Sequence, residues 1–219
     1  GMNKATRVNV AILGTIFGVS GWWHGFFEAL QGNTPTDIGM IEAIGEAHRM
    51  WSHGSEPAFT LIPNFLASGI VAMLLGLLLV VWSLFFVHRK RGPAVFLLLF
   101  ILLLLLGGGV AQILFFPFIW LVATRINKPL TWWRKVLSGG TQRVLGKLWP
   151  GSLIVTSAPL AFALYLAITG FIPGVPDEEA VLALMVSCLA IVLVSFPVTF
   201  VSGFAHDLVH SEQPREAVT

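Results

Sequence analysis

The sequence predicts an all-α fold, a polytopic integral membrane helical bundle of about five transmembrane segments that forms a single membrane domain over residues 1–219. Of the 219 residues, 56% are hydrophobic and only 11% are charged, whereas soluble domains carry about 25% charged residues. Several apolar stretches are also long enough to cross a bilayer as helices. Too few polar side chains remain to cover a water-soluble particle, so the lipid bilayer is the first expected partner.

Five apolar segments carry this prediction. Each is near or above the roughly 20 residues that a helix needs to cross the hydrocarbon core. They occupy residues 8–27, 59–87, 94–123, 153–172 and 180–204. A polar loop over 28–58 and a basic segment over 124–152 are the two long connections between them.

Charge placement predicts the orientation, because Lys and Arg are retained on the cytoplasmic side. Lys4, Arg7 and the run Arg89-Lys90-Arg91 predict a cytoplasmic N-terminus. The loop 28–58 is then extracytoplasmic, and it is rich in acids with one basic residue, Arg49. We expect this loop to form a cap over the bundle.

The third segment, 94–123, has two interpretations. A single tilted helix fits its length, because two full crossings need about 40 residues. A re-entrant hairpin with its tip at Gly107–Gly109 fits the charge rule better, since it keeps the basic segment 124–152 cytoplasmic. The choice also decides whether the C-terminal end of the fifth segment lies outside or inside.

Glycines mark one face of the first span. Gly14, Gly18, Gly21 and Gly25 are four, three and four residues apart, so they line one side of a helix and permit close approach of a second helix. That second helix belongs either to the same chain or to a second copy, in a homo-oligomer.

Ser20, His24 and Glu28 follow one another at intervals of four on an adjacent face of the first span. An ionisable residue within a span is a functional hypothesis by default. The alternative is a structural pair in which His24 bonds the Glu28 carboxylate one turn away.

The cap is predicted to be partly helical. The stretch over residues 40–51 has helical periodicity, with His48 on its apolar side. His53 and Glu56 follow before the second span begins.

One functional hypothesis is a divalent transition-metal site at the outer leaflet. His24, Glu28, His48 and His206 are its predicted ligands, because imidazole and carboxylate suit such metals. Glu28 is alternatively the catalytic base acting on metal-bound water. The pair His206 and His210, at i and i+4, is by itself a weak metal signal. Whether the protein is an enzyme is left open.

A second hypothesis is a small permease or channel with a polar pocket. Ser20, Asn64 and Gln112 are the predicted lining residues, together with His24 at the entry. Asn64 follows Pro63 at the start of the second span, where the proline has two interpretations: a polar break in the span or ordinary N-terminal geometry.

The basic segment 124–152 mixes tryptophans with positive charges, as interfacial elements do. We expect it to lie at the membrane surface as an ordinary connector or as a surface for anionic lipid or a partner. The residues that carry this prediction are Trp132, Trp133, Arg134, Lys135, Arg143 and Lys147.

Several functional classes are disfavoured. A net charge of +2 gives no reason to expect nucleic-acid binding, and a single cysteine, Cys188, excludes an intrachain disulfide. The sequence contains no nucleophile-elbow, phosphate-loop or HExxH motif. A non-enzymatic membrane subunit or accessory protein, whose polar residues tie the cap to the bundle, is therefore the leading hypothesis.

Overall fold

The computed structural model describes residues 1–211, which form a mostly helical protein. The elements are α1 (Lys4–Leu30), β1 (Gly39–Glu42), a 3-10 helix (Glu46–His48), β2 (Pro57–Thr60), α2 (Phe65–Val81) continued by a π-helix (Trp82–Phe86), α3 (Gly92–Leu105), a 3-10 helix (Ala111–Leu114), α4 (Phe116–Ala123), α5 (Thr131–Val136), α6 (Gly139–Thr169) and α7 (Glu178–Ser211). Within these residues, four helices are long and apolar enough to cross a membrane, namely α1, α2 with its π-helical extension, α6 and α7.

Hydrogen bonds define two ends of the molecule. At the end called here the basic end, the Asn3 amide donates to Ile126 O at 2.7 Å, and the Asn127 side chain donates to His88 O at 2.6 Å. The other end, called the cap end, holds residues 31–60. There the Trp51 indole donates to Ala167 O, near the C-terminal end of α6, at 3.1 Å.

The segment 94–123 turns back on itself, so its prediction as a single tilted helix is wrong. Helix α3 runs toward the cap end, where the Gly107 amide donates to Phe59 O at 2.8 Å. The chain then returns through α4 to Ile126 at the basic end. Gly107 and Gly109 have φ angles of +94° and +91°, a region that glycine enters without steric cost. These angles let two short helices form a hairpin where one long helix was expected.

The glycine face of α1 packs inside the chain, which confirms the predicted close approach. A Cβ atom on Gly18 would lie 2.8 Å from Gly76 O, and one on Gly25 would lie 2.5 Å from Gly69 O. The backbones of α1 and α2 therefore meet through glycines on both helices. This contact stabilises an antiparallel pair without leaving a gap between the helices.

The cap differs from its predicted helix over residues 40–51. Residues 39–42 form a strand that pairs antiparallel with β2, with Met40 opposite Phe59. Only Glu46–His48 is helical there, as a single 3-10 turn. The non-local pairing with β2 overrides the local helical periodicity, since strand pairing satisfies the same backbone groups.

Helices α6 and α7 form the second long pair, and side-chain hydroxyls join them. Thr156 Oγ1 lies 2.8 Å from both Ser195 Oγ and Thr199 Oγ1. Thr199 Oγ1 in turn donates to Ser152 O at 2.8 Å. All three hydroxyl-bearing side chains are buried, so this polar ladder fixes the two helices against each other.

Asp207 connects α7 to the start of α1. Its carboxylate accepts the amides of Ala5 and Thr6, each at 2.9 Å, and the Thr6 hydroxyl at 2.7 Å. These amides belong to the first turn of α1, where backbone donors have no partner within the helix and negative charge is favoured. The C-terminal end of α7 therefore lies at the basic end.

Candidate functional site

His24 lies at the cap end of α1 and is 8% exposed. Its Nδ1–H donates to Ser20 O, one turn back, at 2.8 Å. This bond orients the ring so that Nε2 lies 3.2 Å from Glu56 Oε2, in the cap. His24 is therefore paired with Glu56, and the predicted structural pair between His24 and Glu28 is wrong.

The His24–Glu56 contact holds a single proton. Because a carbonyl oxygen only accepts, Nδ1 of His24 must carry hydrogen toward Ser20. The contact between Nε2 and Oε2 then needs one more proton, which resides on either atom. The pair is thus an imidazolium with a carboxylate or an imidazole with a carboxylic acid, and both forms join α1 to the cap.

Glu28 is fully buried one turn further along α1. Within residues 1–211, neither of its carboxyl oxygens has a hydrogen-bond partner. Ser68 Oγ is near the carboxyl, but its one proton is directed to Thr60 Oγ1 at 2.8 Å. A buried acceptor without a donor is costly. The Glu28 carboxyl therefore favours a neutral, protonated state or a bound positive group.

The tip of the α3–α4 hairpin covers both side chains. A Cβ atom on Gly107 would lie 2.5 Å from Glu28 Oε2, and one on Gly109 would lie 2.6 Å from His24 Nε2. Only glycine fits at these two positions, because of both the positive φ and the close approach. The site, called here the chamber, is consequently a buried cluster of polar side chains enclosed by α1, α2, the cap and the hairpin tip.

The three residues of the predicted polar pocket make separate contacts. Ser20 contributes its carbonyl oxygen to His24. Asn64 caps α2 by accepting the Ala67 amide at 3.0 Å, as expected for N-terminal geometry. Gln112 is buried and donates to Gly109 O at 3.0 Å, while its own side-chain oxygen has no partner within the described residues.

The predicted four-residue metal site is not supported. Among residues 1–211, no group of three or more His, Cys, Asp or Glu side chains is placed to hold a metal ion. His206 lies at the basic end, where Nδ1 contacts Gly146 O at 3.0 Å. Its neighbour Asp207 caps the start of α1, and His24 lies about 28 Å further along that helix at 1.5 Å per residue. The predicted convergence of His206 with His24 required α7 to end at the cap end, whereas α7 ends at the basic end.

His48 and the pair His206–His210 have other surroundings. His48 is half-buried in the 3-10 turn of the cap. The rings of His206 and His210 stack, with centroids 4.0 Å apart, and Nδ1 of His210 donates to His206 O at 2.8 Å. Stacked rings with this backbone bond are a packed helix end.

Comparison with known proteins does not identify the chain. No protein-family model, curated protein or solved structure matches it. The chemistry of the chamber is therefore interpreted from its own residues.

Sequence reasoning missed Glu56 as the functional partner of His24, and Ser68 was considered only as a residue of the second span that could face a polar site. Glu56 precedes β2 in the cap, and Ser68 faces inward in the first turns of α2. The available signal was an acid immediately before an apolar segment. It is weak, because acids are common in loops outside a membrane.

Proposed function

We propose that this chain is an integral membrane protein with its cap outside and its basic end in the cytoplasm. The segregation of charge supports this orientation. Within residues 1–211, Arg49 is the only Lys or Arg at the cap end, and Asp207 is the only acid at the basic end. Retention of Lys and Arg on the cytoplasmic side predicts this distribution.

Cysteine labelling in intact cells tests the orientation. In a Cys188→Ser background, Ala47→Cys in the cap should react with a membrane-impermeant maleimide. Gly140→Cys, at the start of α6, should react only after permeabilisation. Both positions are exposed. The reverse pattern would overturn the orientation, and labelling of both in intact cells would overturn the membrane location of the bundle.

Within that membrane setting, the function that the geometry supports best is a non-enzymatic subunit whose cap binds another protein. The observation that supports this function is that the cap is fixed to the bundle and exposes apolar side chains. It is fixed through His24 and Glu56 and through the bond between Gly107 and Phe59. A rigid surface binds at a lower entropic cost than a mobile one.

The apolar side chains of the cap are Ile38, Met40 and Met50, which are 63%, 60% and 57% exposed. Lipid covers exposed apolar residues on the long helices, but these three lie in the cap. Met40 faces away from the buried Ile41 on β1. Apolar and methionine-rich surfaces of this kind are typical of protein interfaces.

Site-specific photo-crosslinking tests the accessory role. A photoreactive residue at Met40 should give one protein adduct of defined mass in native membranes, and Met50→Glu should abolish it. The same residue at Leu193, 61% exposed on α7, is the matched control and should give lipid adducts only. Absence of a protein adduct at Met40, or equal adducts at both positions, would overturn the proposal.

A second candidate function is a proton-linked permease, and the unpartnered Glu28 carboxyl favours it. A buried group that exchanges a proton is the element that a proton pathway requires. Proteoliposomes with an internal pH dye test this candidate. Proton entry should be lost in Glu28→Gln and kept in Asp177→Asn, a change to an exposed acid of the turn before α7. Equal rates in wild type, Glu28→Gln and empty liposomes would exclude it.

A further inference from the structure

The basic end holds an apolar groove with one positive charge at its rim. The groove has a volume of about 450 Å³ and lies between α4, residues 129–133 and α7. Its walls include Leu121, Trp132 and Phe200, and Arg125 is the only charged residue among 1–211 that lines it. Its volume falls within the range of about 300–1,000 Å³ of small-molecule sites.

A second cavity adjoins this groove and is basic. It has a volume of about 730 Å³, shares Pro129, Leu130 and Thr131 with the groove, and is lined by Lys4, Lys128 and Arg134. Among residues 1–211, Asp207 is the one acid that lines it. That carboxylate is already engaged by the first turn of α1, and the lysine and arginine side chains that line the cavity among residues 1–211 are positive.

Neither Arg125 nor Lys128 forms an ion pair among residues 1–211, where the two pairs present both join histidine to glutamate. Both residues are exposed. Trp132 and Trp133 line the groove next to the three residues that it shares with the basic cavity, and tryptophans settle at the level of lipid headgroups. An apolar groove opening into a positive cavity at headgroup depth matches one kind of molecule, an amphiphile with an anionic head.

We propose that these two compartments form a binding site for one anionic phospholipid. An acyl chain lies in the groove, and the phosphate lies between Arg125 and Lys128. A guanidinium and an ammonium both donate charge-assisted hydrogen bonds to phosphate oxygens. The site depends on the membrane location proposed above but not on the accessory role of the cap. It is narrower than a general affinity of the basic segment for lipid, because it excludes Arg143 and Lys147.

Native mass spectrometry of the delipidated full chain in detergent tests the proposal, with titrated dioleoyl phosphatidylglycerol as the probe. We expect one lipid per chain to be retained, with dioleoyl phosphatidylcholine retained at least tenfold more weakly. Arg125→Gln with Lys128→Gln should weaken phosphatidylglycerol binding by at least tenfold, about the effect of one to two interfacial charges. Arg143→Gln with Lys147→Gln removes the same charge from the same end and should leave binding unchanged.

Two further measurements test the groove and the basic cavity separately. Leu121→Trp fills the groove and should weaken phosphatidylglycerol binding, while inorganic phosphate alone should not bind detectably. Melting curves without lipid confirm that each variant is folded. Equal loss in both double variants would overturn the site in favour of diffuse charge attraction. Equal retention of the two phospholipids would also overturn it, even with the membrane orientation confirmed by labelling.

Discussion

Replacing Gly107 by alanine tests the packing of the chamber most directly. At φ +94° a residue with a Cβ atom is strained by about 1–3 kcal/mol. Its Cβ would also lie 2.5 Å from Glu28 Oε2 and 2.7 Å from Ser68 Oγ. Overpacking of this kind costs about 1–3 kcal/mol. We therefore expect Gly107→Ala to lower the free energy of unfolding by about 3 kcal/mol.

Two glycines provide matched controls. Gly32 has φ +75°, and no atom lies within 4 Å of the position that a Cβ atom would occupy. Gly32→Ala therefore isolates the cost of backbone strain, about 1–2 kcal/mol. Gly151 lies within α6 in open space, where alanine should be neutral or stabilising by about 0.5–1 kcal/mol. The difference between Gly107→Ala and Gly32→Ala then measures the steric conflict in the chamber.

Unfolding in mixed detergent micelles, followed by tryptophan fluorescence, measures these free energies. Combining Gly107→Ala with Glu28→Ala should recover part of the steric cost, because Glu28→Ala removes the carboxyl that the new methyl group of residue 107 would contact. A loss in Gly107→Ala no larger than in Gly32→Ala would refute the reasoning. So would strictly additive effects of Gly107→Ala and Glu28→Ala, since residues in contact should couple.

Three further predictions concern the basic end and the long helices. Asp207→Asn should destabilise the fold by about 2 kcal/mol in detergent unfolding, because a buried carboxylate that accepts three hydrogen bonds is lost; Asp177→Asn, in an exposed turn, should have no effect. Thr156→Val should cost about 1–2 kcal/mol, since it removes the buried hydrogen bonds of the Thr156 hydroxyl to Ser195 and Thr199. Partial burial, and then the positive charges of Arg7 and Arg89, lowers the pKa of His88 below the usual 6.5. An NMR titration should show this, and Arg7→Gln should raise that pKa. Because the folded chain binds this proton more weakly than the unfolded chain, protonation of His88 reduces the free energy of unfolding as the pH falls below 6.5.

Much of the architecture follows from one-dimensional patterns. Apolar length predicts α1, α6 and α7, and glycine spacing predicts the face that α1 presents to α2. Charge placement already favoured a hairpin over 94–123, but length argued against it. The structure accommodates both constraints with a 14-residue α3 and an 8-residue α4. Neither helix alone reaches the roughly 20 residues of a full crossing.

The candidate site was predicted only in part, because its partners are distant in sequence. His24 and Glu28 are conspicuous as ionisable residues in an apolar helix. The partner of His24 is chosen by the fold of the cap, which places Glu56 within 3.2 Å. That fold depends on strand pairing between β1 and β2, which local periodicity does not report. Asp207 was likewise visible only as part of a histidine motif, since its partner lies about 200 residues away in α1.

Substitution of Glu28 distinguishes a chamber with a purely structural role from one that transfers protons. If the carboxyl is held neutral by burial, Glu28→Gln replaces it with a neutral group of similar shape, and stability should be equal or higher. The His24–Glu56 pair fixes the cap in both cases, so the cap should keep its crosslinking pattern. A folded, equally stable Glu28→Gln protein would mean that packing does not require the carboxyl group of Glu28. If such a variant were defective only in proton entry, Glu28 would be assigned a function in proton transfer. A large loss of stability in Glu28→Gln would instead show that the carboxylate is charged and has a partner in the folded protein.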